Sequence, residues 1–155
     1  FARDVLGFAD ANSSEFAPEG KHNVIALMPD QEGNLPKGGT MRLGSYPCKV
    51  MPGTKLMECY GQELVQERHR HRYEFNNEYR QQMVDAGLVL GGPSPDGRLV
   101  EAIELPGRDF YVGVQLHPEF KSPPQPCPAA VPRLCECLPE KARGAGRGVS
   151  RLLAA

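Results

Sequence analysis

The sequence predicts one mixed α/β domain, and three observations lead there. Short apolar runs that suit buried strands, such as Asn23–Met28 and Phe110–Leu116, alternate with capped segments that suit short helices. Turns rich in Gly, Pro and Asp separate them, and Pro52-Gly53 and Pro93-Ser94-Pro95-Asp96-Gly97 both break the pattern sharply. At 155 residues and 17.0 kDa the chain can build one core but is too short for a two-domain enzyme.

Composition narrows the partners. Lys plus Arg total 18 against 19 Asp plus Glu, a net charge of -1, so there is no basic surplus of the kind a nucleic acid or a membrane surface would attract. No apolar run is long enough to span a bilayer, and Phe1-Ala2-Arg3-Asp4-Val5-Leu6 lacks the layout of a secretory signal. The expectation is a cytoplasmic protein with neither nucleic-acid nor membrane partner. Five cysteines (Cys48, Cys59, Cys127, Cys135, Cys137) include no C-x-x-C pair, which favours reduced thiols over a zinc or redox site.

In chain order, Phe1–Leu6 reads as the second half of an amphipathic helix, so the domain is expected to be N-terminally truncated. Asn23–Met28 reads as a buried strand that Pro29 ends in a surface loop. Gly38-Gly39 then releases an extended segment, Thr40–Val50, interrupted at Pro47. Thr54 is placed to cap a short helix carrying Leu56, Met57 and Tyr60, which Gly61 stops. Arg68–Phe75 alternates, and as one strand it puts His69, His71, Tyr73 and Phe75 on one face and Arg68, Arg70, Arg72 and Glu74 on the other. Asn76 or Asn77 caps a helix from Glu78 to about Ala86, closed by Gly87. Leu88–Leu90 and Leu99–Leu105 form a hairpin around the Pro-Ser-Pro-Asp-Gly turn. Phe110–Leu116 is the best buried-strand candidate and delivers His117-Pro118-Glu119 at its carboxyl end, where open α/β sheets place their chemistry.

His117 and Glu119 suit a base and its orienter: an imidazole takes a proton from a nucleophile, and a carboxylate fixes its tautomer. A solvated strand-end His followed by an exposed loop Glu would fit the same residues. His69 and His71 share a strand face and invite a metal, but with Tyr73 and Phe75 beside them and no third ligand nearby, the expectation is packed or hydrogen-bonded histidines and no metal.

Longer strings point further. Gly38-Gly39-Thr40-Met41-Arg42-Leu43-Gly44, then Glu67-Arg68-His69-Arg70-His71-Arg72-Tyr73-Glu74, then Val112–Phe120 resemble, in order and spacing, the C-terminal half of the amidotransferase domain of the CTP synthase family. Asp10–Phe16 looks like that family too, and the resemblance covers roughly residues 1–122. It implies a three-layer class I glutamine amidotransferase-like (flavodoxin-like) fold. It also implies that His117 and Glu119 are catalytic and that Glu15 and Arg72 hold the substrate, L-glutamine. A guanidinium gripping the α-carboxylate with two hydrogen bonds suits Arg72; an ion pair with Glu67 or Glu74 on a solvated strand face is its alternative. Glu15 would complement the α-ammonium, or else belong to a capping turn begun by Asn12-Ser13-Ser14.

The family's nucleophilic cysteine lies in a Gly-x-Cys-x-Gly elbow that no cysteine here occupies and that is expected just before Phe1, so the chain alone is expected to be inactive. The resemblance implies no cofactor in this chain. ATP, Mg²⁺ and UTP belong to a synthetase domain, through which the family forms homotetramers, and GTP is a further partner of the full-length enzyme. The implied activity is glutamine hydrolysis feeding ammonia to the amination of UTP to CTP. Another class I amidotransferase or a γ-glutamyl hydrolase would share His-Pro-Glu but not Gly-Gly-Thr-Met-Arg-Leu-Gly, and a non-catalytic glutamine-binding module is the third reading. Residues 123–155 are Pro-, Cys- and Arg-rich. A back-translation of Pro128–Leu138 read one nucleotide later gives a family-like peptide, so this tail is expected to be out of frame and unstructured.

Overall fold

The structure, a computed structural model, describes residues 1–27 and 41–121. The expected Pro29 loop, the Gly38-Gly39 release and the 123–155 tail lie outside the described residues. The strands are β1 (Asn12–Ser13), β2 (Asn23–Ala26), β3 (Arg42–Lys49), β4 (Leu64–His71), β5 (Glu74–Phe75), β6 (Val89–Pro93), β7 (Val100–Glu104) and β8 (Val112–Val114). With the short helices α1 (Lys55–Tyr60) and α2 (Arg80–Asp85) they make a mixed α/β unit. Among the described residues the strands form three small sheets, in the orders β1-β2-β5, β3-β4 and β6-β7-β8. Only β1 and β2 pair in parallel there; the other pairings are antiparallel.

Local chemistry forms the helices as expected. Thr54 Oγ1 accepts from the Met57 amide at 3.1 Å, and Gly61 ends α1 in the left-handed region at φ 65°. Asn76 Oδ1 accepts from the Glu78 amide at 3.0 Å and opens a 3-10 turn, Asn77–Tyr79, that runs into α2. Glu104, from β7, completes the start of α1: its two oxygens accept from the Lys55 and Leu56 amides at 2.8 and 2.7 Å. A carboxylate on two free N–H groups also meets the positive end of the helix.

Three expectations need correction. β3 runs through Pro47, which pairs with Gln66; β3 has a single paired neighbour among the described residues, and an edge strand can omit a donor on its open side. Arg68–Phe75 is not one strand. β4 stops at His71 and β5 starts at Glu74 in a different sheet, so Glu74 is buried at 1% exposure instead of sharing a solvated face with Arg68 and Arg70. Phe110–Leu116 yields only the three half-buried residues of β8, because β8 is an edge with β7 as its one neighbour among the described residues. Phe1–Leu6 does form a helical turn, with the Val5 amide bonded to the Phe1 carbonyl at 2.8 Å.

Two apolar clusters support the sheets. The first joins Cys48, Val50, Leu56, Tyr60, Val65, Ala102 and Leu116. A Cβ on Gly92 would lie 2.8 Å from Cys48 Sγ and 3.0 Å from the Ala102 Cβ, so only glycine lets β6 lie this close. The second gathers Ala2, Ala11, Phe75, Met83, Leu88 and Val100. Replacing Glu104 with Ala removes both charge-assisted bonds to α1, and is expected to cost about 3 kcal/mol in urea denaturation; an unchanged midpoint would show the capping carboxylate to be dispensable.

Candidate active site

The His117 imidazole is positioned by elements on either side of it. Leu116, at 1% exposure, anchors the chain in the first cluster. The His117 amide then donates to the Arg68 carbonyl of β4 at 2.8 Å. Pro118 turns the chain into the 3-10 segment Pro118–Lys121, which brings Glu119 round. His117 Nδ1 and Glu119 Oε1 are 2.7 Å apart, a short bond between half-buried groups. The Phe120 ring stacks on the imidazole, 4.6 Å between centroids. With Nδ1 committed as donor to the carboxylate, Nε2 is the basic nitrogen left to face a reacting group. Glu119 is therefore no solvated loop residue.

Arg72 and Glu15 come to the same end of one sheet. β1 and β2 run parallel and β5 runs against them, so the end of β1 and the start of β5 lie on the same side. Glu15 follows β1 by two residues, and Arg72 precedes β5 by two. The Ser13 hydroxyl accepts from the Glu15 amide at 3.2 Å, and Glu15 is exposed, so the polar turn that the sequence offered as its alternative is present. Glu67 and Glu74, the carboxylates named for an Arg72 ion pair, are buried at 2% and 1% exposure and so do not lie on a solvated face. Gln115 links this end of the sheet to His117: with its amide nitrogen turned toward acceptors, it donates to Glu74 Oε2 at 2.7 Å and to the Val100 carbonyl at 3.2 Å.

Behind both groups is a buried polar cluster: its hydrogen-bonded histidines were expected from the sequence, and its Arg42, Glu74 and Glu101 were not. Arg42 donates to Glu101 through both terminal nitrogens, at 3.0 and 2.8 Å, and approaches Glu74 at 3.4 Å. Its guanidinium also lies 4.6 Å from the centre of the Tyr46 ring. His69 Nδ1 is 2.9 Å from His71 Nε2, and His71 Nδ1 is 3.1 Å from the Tyr73 carbonyl. The one signal for this cluster was in β7: Val-Glu-Ala-Ile-Glu puts a carboxylate on each face of a strand whose neighbours are apolar. Of the cysteines, Cys48 and Cys59 are described, and both are buried; burial pushes the Cys48 thiol up to about 12, which suits core packing and not nucleophilic chemistry.

Comparison with known proteins adds to this geometry. A family model described as glutamine amidotransferase class-I matches residues 17–128, well over half of the chain. The chain belongs to the class I glutamine amidotransferase family. Within it, the similarity is to CTP synthases. The CTP synthase of Carboxydothermus hydrogenoformans is 61% identical over 124 residues, 80% of this chain and 23% of that protein. That of Caldanaerobacter subterraneus subsp. tengcongensis is 60% identical over the same shares. The chain thus spans about a quarter of the length of these curated relatives. A solved structure, the glutaminase domain of Trypanosoma brucei CTPS with bound acivicin, matches with a TM-score of 0.76 at 34% identity, over 88% of this chain and 53% of that one. The amidotransferase fold expected from the sequence is shown by this match.

In this amidotransferase the third ligand missing from the sequence argument does exist, since Glu101 lies beside His69 and His71. The group still does not fit a metal ion. Arg42 engages both Glu101 oxygens, and the facing histidine nitrogens are joined at hydrogen-bond distance. The histidines stay neutral: burial first, then the Arg42 charge, push His69 down to about 3 and His71 down to about 4. Unfolded, each would titrate near 6.5, so below that pH the unfolded chain binds more protons. Their contribution to stability is complete above about pH 6.5 and is lost as pH falls toward 4 and 3. Thermal melts of the wild type are expected to drop through this window and those of His69→Gln to drop less; equal acid slopes would refute the buried neutral pair.

Proposed function

We propose that this chain supplies the general base and the substrate-holding residues of a glutaminase that feeds ammonia to CTP synthesis in a longer protein. The observation that carries the reading is the 2.7 Å bond between His117 Nδ1 and Glu119 Oε1, at the end of a segment fixed to β4 and β7. His117 Nε2 takes the proton of a cysteine thiol contributed from outside this chain, and the sulfur attacks the γ-carboxamide carbon of glutamine. As the C–N bond breaks, His117 returns the proton to the departing ammonia. Water, deprotonated by the same imidazole, then cleaves the thioester to glutamate and restores the thiol. Glu119 holds the tautomer and stabilises the imidazolium.

Arg72 grips the α-carboxylate of glutamine, and Glu15, at the same end of the sheet, meets its α-ammonium. In the whole protein ATP, with Mg²⁺, would activate UTP for attack by the ammonia, with GTP as a further nucleotide partner and a homotetramer as the assembly. The reading supports a ligase of pyrimidine biosynthesis working in the cytoplasm. No cysteine of the 155 residues lies in a Gly-x-Cys-x-Gly elbow, so on this reading glutamine hydrolysis needs a thiol from the rest of the protein.

Two measurements test the reading in the full-length protein. His117→Gln is expected to lower glutamine-dependent CTP formation by about a thousandfold or more while leaving ammonia-supplied formation within about threefold. Retained glutamine turnover would reject His117 as the base. Arg72→Lys keeps the charge but loses the planar fork, and is expected to raise the glutamine KM roughly tenfold with a smaller change in kcat; an unchanged KM would remove Arg72 from the substrate site.

A further inference from the structure

Between β4 and β5 the chain changes sheets over just two residues, Arg72 and Tyr73. They belong to neither strand, so the geometry of this turn is set by what its flanks are bonded to. The Tyr73 carbonyl lies 3.1 Å from His71 Nδ1, and the residue after it, Glu74, is held by Arg42 and by the Gln115 amide. We propose that His71 is a positioning residue for glutamine: by donating from Nδ1 to the Tyr73 carbonyl, it fixes the turn that presents Arg72 to the substrate's α-carboxylate. The proposal rests on the assignment of Arg72 to glutamine made above.

The direction of that hydrogen bond is set by the acceptors around it. A carbonyl only accepts, so His71 Nδ1 carries the proton and its Nε2 is the acceptor. His69 Nδ1, 2.9 Å away, is then the donor to that Nε2. The buried pair forms a chain of donors running His69 to His71 to Tyr73, with one tautomer at each ring. Glu74 Oε1, at 3.5 Å from His71 Nδ1, reinforces the same choice, and Arg42 opposes a second proton on either ring. A packing histidine would need none of this order. Preorganisation of the turn lowers the cost of ordering Arg72 when substrate arrives.

The test titrates the full-length protein, its nucleophilic cysteine replaced by alanine so that glutamine is not consumed, by calorimetry with L-glutamine and with its α-amide, in which a neutral carboxamide replaces the α-carboxylate. Wild type is expected to prefer glutamine by about tenfold or more. His71→Leu and His71→Gln, the second keeping a polar group but one methylene too far out, are expected to reduce that preference to about threefold or less. His71→Asn, whose amide nitrogen can take the place of Nδ1, is expected to restore it. Near-ultraviolet dichroism identifies which variants fold, and His71→Gln carries the comparison where His71→Leu does not. A wild-type preference retained in the loss variants, or an Asn variant no better than them, overturns the positioning role while leaving Arg72 in place. A wild type that does not discriminate the two ligands overturns the Arg72 assignment, and the positioning role with it.

Discussion

The Arg42 guanidinium, on β3, reaches Glu101 on β7 and Glu74 on β5, so a single side chain touches all three sheets, and the relative placement of the site residues depends on it. Sheets of two or three strands are marginal by themselves. Apolar contact alone would let them slide, because dispersion and burial are only weakly directional. A buried ion pair works differently. The cost of desolvating its charges offsets most of the attraction between them, so its net contribution is small, yet it tolerates few geometries. The bidentate fit of Arg42 on Glu101 is therefore better understood as fixing orientation than as adding stability.

From that node the two halves of the site follow. Glu101 passes position to the catalytic side, since its carbonyl accepts from the Gln115 amide at 2.8 Å, two residues before His117. Glu74 passes it to the binding side, since it ends the turn that carries Arg72. Gln115 closes the loop by bonding the Glu74 carboxylate. The proposed base, His117, and the proposed substrate grip, Arg72, are thus referred to the same pair of carboxylates, Glu101 and Glu74.

What could be read in the sequence was local. Thr54 with Gly61, Asn76 ahead of α2, and the Pro-Ser-Pro-Asp-Gly hairpin each place a donor, an acceptor or a positive φ within a few residues, and each formed as expected. His117 and Glu119 were legible for the same reason, being two residues apart. The missed features are long-range. Alternation through Arg68–Phe75 continues smoothly in sequence while the chain leaves one sheet for another at Arg72. Glu74 and Glu101 look like surface carboxylates until the guanidinium that pairs them arrives from 32 and 59 residues away. Periodicity reports which faces differ, but it does not report which polar face is buried against a distant charge.

The His-Pro-Glu string shows how backbone restriction becomes chemistry. The residue before a proline is kept out of the helical region, so His117 stays outside the 3-10 segment that follows it. Pro118, with its φ held near the helical value, then starts the 3-10 turn without needing a donor of its own. Starting the 3-10 turn at Pro118 swings Glu119 back toward the imidazole. The bond at Nδ1 is thus set by covalent geometry, while the amide bond to Arg68 sets where the ring stands relative to β4. Orientation and location come from different causes, one local and one from the sheet, and a base aimed at a fixed nucleophile requires both.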